Sequence, residues 1–146
     1  MALSQFIPRK VNDDFWNNVG IPSRGKPLLA AIDAGFPYET LKKLSLRMGF
    51  EVSKVSASAG LKSATLARRA KDGRFKPIES DGIHRIAKIY NSALSLFEDN
   101  DELAHNWMSS SVKALGDNKP IDMLKTNAQI NEVLNVIGRL ENGVVN

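Results

Sequence analysis

From Pro27 onward, apolar residues recur at intervals of three and four, which is the spacing of one face of an α-helix. The longest series predicts an amphipathic helix from Pro77 to Phe97, and the last series predicts a helix from about Ala128 to Gly143. β-Branched residues do not alternate with polar ones over any useful length, as they would in a half-buried strand. The pattern therefore predicts an all-α fold.

Two short helical patterns meet at Gly60. Val55 lies on the apolar face of the first pattern, Leu66 lies on that of the second, and the small Ser56 stands where the two helices approach. Glycine suits the tight turn between such helices, and Ser63 is a suitable cap for the second one. The stretch predicts a helix-turn-helix whose second helix is exposed.

The pattern divides the chain into three parts. Residues 1–25 are rich in Asn, Pro and Gly without a sustained period, which predicts a loosely ordered arm anchored by Phe15 and Trp16. Residues 26–92 are assigned to the helix-turn-helix domain. Residues 93–146 are assigned to a small helical C-terminal domain.

Charge is distributed unevenly between the two halves of the chain. The first 90 residues hold 16 Lys and Arg against 8 Asp and Glu, whereas the remaining residues hold 4 against 8. Such asymmetry predicts an anion-binding front half joined to a back half with a different task.

Positive charge is concentrated between Lys54 and Lys76. This stretch holds seven Lys and Arg against one acid, Asp72, which gives a local net charge of +6. On an exposed helix, short side chains allow close approach to a DNA groove, and long cations reach bases or phosphates. The alternative is a solvated helix end, where cations are also favoured. If six of the cations contact phosphate, DNA affinity falls with log salt at a slope of about −5. The predicted DNA-binding residues are Lys62, Ser63, Thr65, Arg68, Arg69, Lys71 and Arg74.

The sequence offers few residues for catalysis or metal binding. Cysteine is absent, and His84 and His105 stand alone in helical patterns, which disfavours thiolate and imidazole sites. Neither a GxGxxG motif nor a P-loop is present. We therefore predict a protein that is not an enzyme and takes no cofactor or metal. The first residues lack the apolar run of a signal peptide, so a cytoplasmic location without membrane contact is predicted.

Three segments of the chain together resemble one protein family. They are GLKSATLARRAKDGRFKPIES, WMSSSVKALGDNKPIDMLKT and VIGRLENGVV. From about residue 27 to 146, the chain resembles antitoxins of bacterial toxin–antitoxin modules in which an Xre-like helix-turn-helix domain precedes an MbcA/ParS/Xre-type toxin-binding domain. The residues matching the first motif are Gly60, Leu61, Thr65, Leu66, Arg68, Arg69, Gly73, Arg74, Phe75, Glu79 and Ser80. Those matching the later motifs are Trp107, Met108, Ala114, Leu115, Gly116, Pro120, Ile121, Asp122, Met123, Leu124, Thr126, Gly138, Arg139, Leu140, Glu141, Gly143 and Val144.

The resemblance implies a partner and a mode of inhibition. Antitoxins of this kind usually accompany RES-domain toxins, enzymes that consume NAD⁺ and are encoded beside them. The resemblance further implies that the extreme C-terminus reaches the toxin's active-site cleft and blocks the entry of NAD⁺. The implied toxin-binding residues are Trp107, Leu115, Pro120, Leu124, Arg139, Glu141, Asn142, Gly143, Val144, Val145 and Asn146.

The expected partners also include operator DNA and a second copy of the chain. Palindromic half-sites require an even number of helix-turn-helix units, so a homodimer is predicted, with its contact on the helix from Pro77 to Phe97. Trp107, Leu115 and Leu124 are interpreted as core residues that shape the toxin-binding surface from beneath. Two alternatives stay open: a repressor whose C-terminal domain only dimerises, and an antitoxin to a toxin of another class.

Two positions depart from the pattern of the family. Asp117 stands where a second glycine is common, and Gln129 stands where glycine usually precedes the last helix. Both departures are expected to change loop geometry more than function.

Overall fold

The computed structural model describes residues 12–143, and within that range it contains eight α-helices and no β-strand. The helices are α1 (Asp14–Val19), α2 (Gly25–Ala34), α3 (Tyr38–Met48), α4 (Val52–Ser58), α5 (Ser63–Asp72), α6 (Pro77–Leu96), α7 (Asp101–Met108) and α8 (Asn127–Glu141). Two short 3₁₀ turns, Lys113–Leu115 and Pro120–Asp122, lie between α7 and α8. The predicted all-α fold is confirmed.

Helix α6 forms the centre of the fold. It begins at Pro77, whose fixed φ and missing N–H suit the first turn of a helix, and it contacts α2, α3, α4, α7 and α8. Its apolar stripe, which includes Ile83, Ile86, Tyr90 and Leu94, is buried inside a single chain. This burial argues against the predicted dimer contact on the same helix, because no apolar stripe is left over for a second copy.

Residues 12–25 are better ordered than the sequence suggested. Phe15, Trp16 and Val19 of α1 are buried against the core, and so is Ile21 just after it. The interpretation of this part of the arm as loosely ordered is wrong, although its anchoring through Phe15 and Trp16 is confirmed. A six-residue helix gives almost no periodic signal, and packing rather than local preference stabilises it. Residues 1–11 lie outside the described range.

The helix-turn-helix prediction is confirmed in α4 and α5. Gly60 adopts the left-handed conformation, with φ of +82°, which side chains with a Cβ rarely adopt. The backbone N–H of Leu61 closes the turn on the carbonyl of Ser56 at 3.0 Å. Val55 is fully buried between the helices, and Ser56 is buried beside it. The cap residue of α5 is Lys62 rather than Ser63, which is the first helical residue.

The C-terminal helices pack onto α6 and onto the helix-turn-helix. The Ser58 hydroxyl donates to the carbonyl of Ile121 at 2.9 Å, and Lys54 pairs with Asp122 at 2.7 Å. Helix α8 starts with a reciprocal cap, in which Thr126 Oγ1 accepts from the N–H of Gln129 and the Gln129 side chain accepts from the N–H of Thr126. Gln129 therefore fixes the start of α8.

Candidate functional site

The outward face of α5 carries the small and cationic side chains that the sequence placed there. Lys62, Ser63, Arg68 and Lys71 are exposed, and Thr65 is half-buried, with its hydroxyl 3.4 Å from a guanidinium nitrogen of Arg68. Because the turn at Gly60 fixes α5 against α4, these side chains share one surface of the molecule.

Arg69 is an exception, because its side chain points into the fold. Its residue exposure is 8%, and its Nε and Nη2 atoms donate to the two carboxylate oxygens of Glu79 at 2.7 and 3.2 Å. Its Nη1 donates to Asp72 at 3.0 Å. This arrangement joins the end of α5 to the start of α6 and argues against the prediction that Arg69 contacts DNA. The sequence did contain a signal for it, namely an acid three residues away and Glu79 within the same motif.

Glu79 is ionised in this arrangement for a specific physical reason. Burial alone would raise the pKa of its carboxyl. Hydrogen bonds from Arg69 and from the N–H of Lys76 outweigh that effect and hold the pKa below its ordinary value. The same carboxylate thus caps α6 and neutralises Arg69.

Arg74 and Lys54 are also engaged within the chain. A guanidinium nitrogen of Arg74 donates to the carbonyl of Gly35, next to an isolated antiparallel bridge between Arg74 and Pro37. The packing there is close, because a Cβ at Gly35 would lie 2.0 Å from the carbonyl oxygen of Phe75. With Lys54 held by Asp122, Arg69 by Glu79 and Arg74 by the carbonyl of Gly35, four of the seven cations between Lys54 and Lys76 face solvent without an ion pair or a side-chain contact to the backbone among residues 12–143. They form a set that we call the exposed cations: Lys62, Arg68, Lys71 and Lys76.

The predicted toxin-binding residues fall into two groups. Leu115, Pro120 and Leu124 are buried and Trp107 is half-buried, so these side chains lie mainly beneath the surface of the C-terminal domain. At the end of α8, Arg139 is half-buried and residues 141–143, Glu141, Asn142 and Gly143, are exposed. Val144, Val145 and Asn146 lie outside the described residues.

Arg139 has one polar atom without a partner. Its Nε is buried and makes no hydrogen bond to any described residue. A buried donor left in this state costs free energy.

Comparison with known protein families divides the chain into two matched regions. Residues 27–88 match the family model described as the antitoxin Xre-like helix-turn-helix domain. Residues 92–143 match the model described as the antitoxin Xre/MbcA/ParS C-terminal toxin-binding domain. The chain belongs to the Xre antitoxin family.

Two curated relatives, both named antitoxin Xre, match the chain along nearly their whole length. The chain is 36% identical over 131 residues to an antitoxin Xre of Yersinia enterocolitica serotype O:8 / biotype 1B, a match that covers 88% of each protein. It is 32% identical over 136 residues to an antitoxin Xre of Photorhabdus laumondii subsp. laumondii, with 92% of each covered.

The two matched regions of this antitoxin meet within α6, which runs without a break across residues 88–92. The predicted division between residues 92 and 93 lies in the same helix and stays a prediction.

Metal sites and membrane-spanning helices are absent from the described part of the antitoxin. Across residues 12–143, no group of three or more His, Asp or Glu side chains is placed to hold a metal ion. None of the helices in this range is both long enough and apolar enough to cross a membrane.

Proposed function

We propose that this antitoxin neutralises a RES-domain toxin encoded beside it, an NAD⁺-consuming enzyme, and that its helix-turn-helix represses the shared operon as a homodimer. The observation that carries the proposal is that one helical chain exposes two chemically different sets of side chains. The exposed cations lie on α5 and just before and after it, whereas Glu141, Asn142 and Gly143 lie at the end of α8.

The DNA-binding half of the proposal rests on the exposed cations. Lys62, Arg68, Lys71 and Lys76 reach solvent, and the small Ser63 and Ala67 between them allow the backbone of α5 to approach a groove. We assign phosphate or base contacts to these side chains and to Thr65. Arg69 we assign instead to holding α5 against α6.

The inhibitory half of the proposal rests on the end of α8. The helix ends at Glu141, and the following residues, Asn142 and Gly143, are exposed, so they can leave the surface of the domain. We propose that the apolar Val144 and Val145, followed by Asn146, enter the toxin's active-site cleft and block NAD⁺. Arg139, which is half-buried near the end of α8, would flank this contact.

The test is co-expression with the protein encoded next to this chain, followed by purification and an NAD⁺-consumption assay. The full-length antitoxin should form a complex that does not consume NAD⁺, and a variant lacking residues 144–146 should bind the toxin less well or fail to block NAD⁺ loss. The matched control is Lys62→Ala with Arg68→Ala, which should lose DNA binding while protecting NAD⁺ fully.

Each part of the proposal has its own contrary result. If the neighbour consumes no NAD⁺ even after the antitoxin has been removed from it, the toxin belongs to another class. If the free neighbour consumes NAD⁺ and the truncated antitoxin still gives full protection, the tail does not block the active site. If the neighbour does not bind, the chain acts as a repressor whose C-terminal domain has another task.

A further inference from the structure

Helix α2 is unusually apolar for a helix on the outside of the fold. Its ten residues, GKPLLAAIDA, carry only two charged side chains, yet none of the ten is classed as buried in the described structure. Leu28, Ala31 and Ile32 are half-buried and pack towards the core. The opposite face of the helix is left to solvent.

That opposite face has a charged side chain at each end and two apolar side chains at its centre. Lys26, Leu29, Ala30 and Asp33 follow the i, i+3, i+4, i+7 spacing of one helix face, and all four are exposed. Leu29 keeps 66% of its surface exposed, which is high for a leucine. Within residues 12–143, neither Lys26 nor Asp33 has an ion-pair partner. We call these four residues the α2 stripe.

The order of the α2 stripe is complementary to itself. If a second copy lies antiparallel on a two-fold axis between residues 29 and 30, Lys26 of one copy faces Asp33 of the other, and the reverse pair forms as well. The same operation places the large Leu29 opposite the small Ala30, which lets the two helices approach closely. One antiparallel arrangement therefore pairs the opposite charges at both ends of the stripe and packs the large side chain against the small one at its centre.

We propose that the α2 stripe is the homodimer contact of this antitoxin. The inference rests on the homodimer of the proposed function and replaces α6, whose apolar stripe is buried within each chain. The occupant of the surface is a second copy of the same chain, since the positions of Lys26 and Asp33 match each other under two-fold symmetry.

The position of α2 also suits a dimer that binds two half-sites. The end of α2 is tied to the end of α5, because Arg74 donates to the carbonyl of Gly35 and the N–H of Phe75 donates to the carbonyl of Phe36 at 2.8 Å. Pairing through α2 therefore fixes the two α5 helices relative to each other. Fixed spacing of two recognition helices is what a palindromic operator requires.

The expected dimer is weak. A ten-residue helix is about 15 Å long, and a contact centred on it buries less than the roughly 800 Å² per partner of a standard interface. We therefore expect a dimer that forms and dissociates with concentration and that DNA binding strengthens.

The test is charge reversal followed by sedimentation equilibrium of the full chain. Asp33→Lys turns two attractive pairs into two repulsive ones, and it should weaken the dimer about thirtyfold, which corresponds to about 2 kcal/mol. Combining it with Lys26→Asp restores opposite charges across the axis and should restore the dimer. Glu132→Lys, an exposed charge reversal on α8, is the matched control and should have no effect.

The outcomes separate this inference from the proposed function. Recovery of the dimer in the doubly reversed variant supports the α2 stripe. A wild-type dimer that Asp33→Lys does not weaken overturns the α2 stripe and leaves the homodimer standing on another surface. A wild-type chain that is monomeric both alone and on operator DNA overturns the homodimer and the α2 stripe together, while NAD⁺ protection in the co-expression assay remains a separate result.

Discussion

Arg68 and Arg69 are neighbours in the sequence, and replacing each with alanine is expected to have opposite consequences. Arg68 is exposed on the outward face of α5, whereas Arg69 is 8% exposed and held by Glu79 and Asp72. Arg68→Ala should therefore change DNA binding without changing stability. Arg69→Ala should change stability without changing the number of DNA contacts.

The expected size of the DNA effect follows from the exposed cations. Of the seven Lys and Arg between Lys54 and Lys76, the structure leaves four facing solvent without an ion pair or an assigned backbone contact. At about 0.9 per phosphate contact, one helix-turn-helix should give a slope of about −3.6 in log affinity against log salt, and a dimer about −7. For one helix-turn-helix, the slope expected from four contacts is thus shallower than the value of about −5 expected from six. Arg68→Ala should make the slope for one helix-turn-helix shallower by about 0.9.

The stability effect comes from the carboxylate that Arg69→Ala leaves behind. With Arg69 present, the pKa of Glu79 lies below its ordinary value of 4.5, so ionised Glu79 contributes stability above that pH. The contribution is lost as the pH falls through the lowered pKa of the folded state. Without Arg69, burial acts against the charge, so the melting temperature at neutral pH should fall and the acid-side loss of stability should shrink.

The assay is fluorescence anisotropy on a duplex taken from upstream of the gene, over a range of KCl concentrations, with thermal unfolding of each variant measured in parallel. The reasoning is refuted if Arg69→Ala melts like the wild type and reduces the salt slope as much as Arg68→Ala does. A wild-type slope of about −5 for one helix-turn-helix would show in addition that Arg69 and Arg74 turn outward on DNA.

Three further predictions concern stability and its pH dependence. Asp117 has a φ of +64°, so Asp117→Gly should relieve left-handed strain and raise the free energy of unfolding by about 1 kcal/mol in urea denaturation; an unchanged midpoint would contradict this. Tyr90→Phe removes a 2.7 Å hydrogen bond to Asp101 and should cost about 1.5 kcal/mol in the same assay, whereas a neutral result would mean that water replaces it. Burial and the nearby Lys88 hold the pKa of His84 below 6.5, so the unfolded chain takes up the proton first. Stability should fall as the pH drops below 6.5, and His84→Gln should remove this slope in melting curves recorded from neutral to acid pH.

Local patterns in the sequence were sufficient to predict the longer helices. Apolar spacing, Pro77 and the glycine at position 60 each act within a few residues, so the all-α class, the helix-turn-helix and the long central helix were predicted and are confirmed. The sequence analysis missed the short helix α1 because such patterns need a longer segment. Six residues are too few for a periodic signal, and the burial of Phe15 and Trp16 depends on contacts with distant helices.

The same distinction between local pattern and tertiary packing applies to the candidate site. The sequence by itself determined that Ser63, Arg68 and Lys71 of α5 face outward, because helix geometry fixes that order once the turn at Gly60 is known. Only the tertiary structure decided that Arg69 and Arg74 are held within the chain, that Lys54 pairs with Asp122, and that the apolar face of α6 is already covered. The physical reason is that periodicity is set by the backbone of one helix, whereas the partner of a long charged side chain is set by the helices that pack beside it.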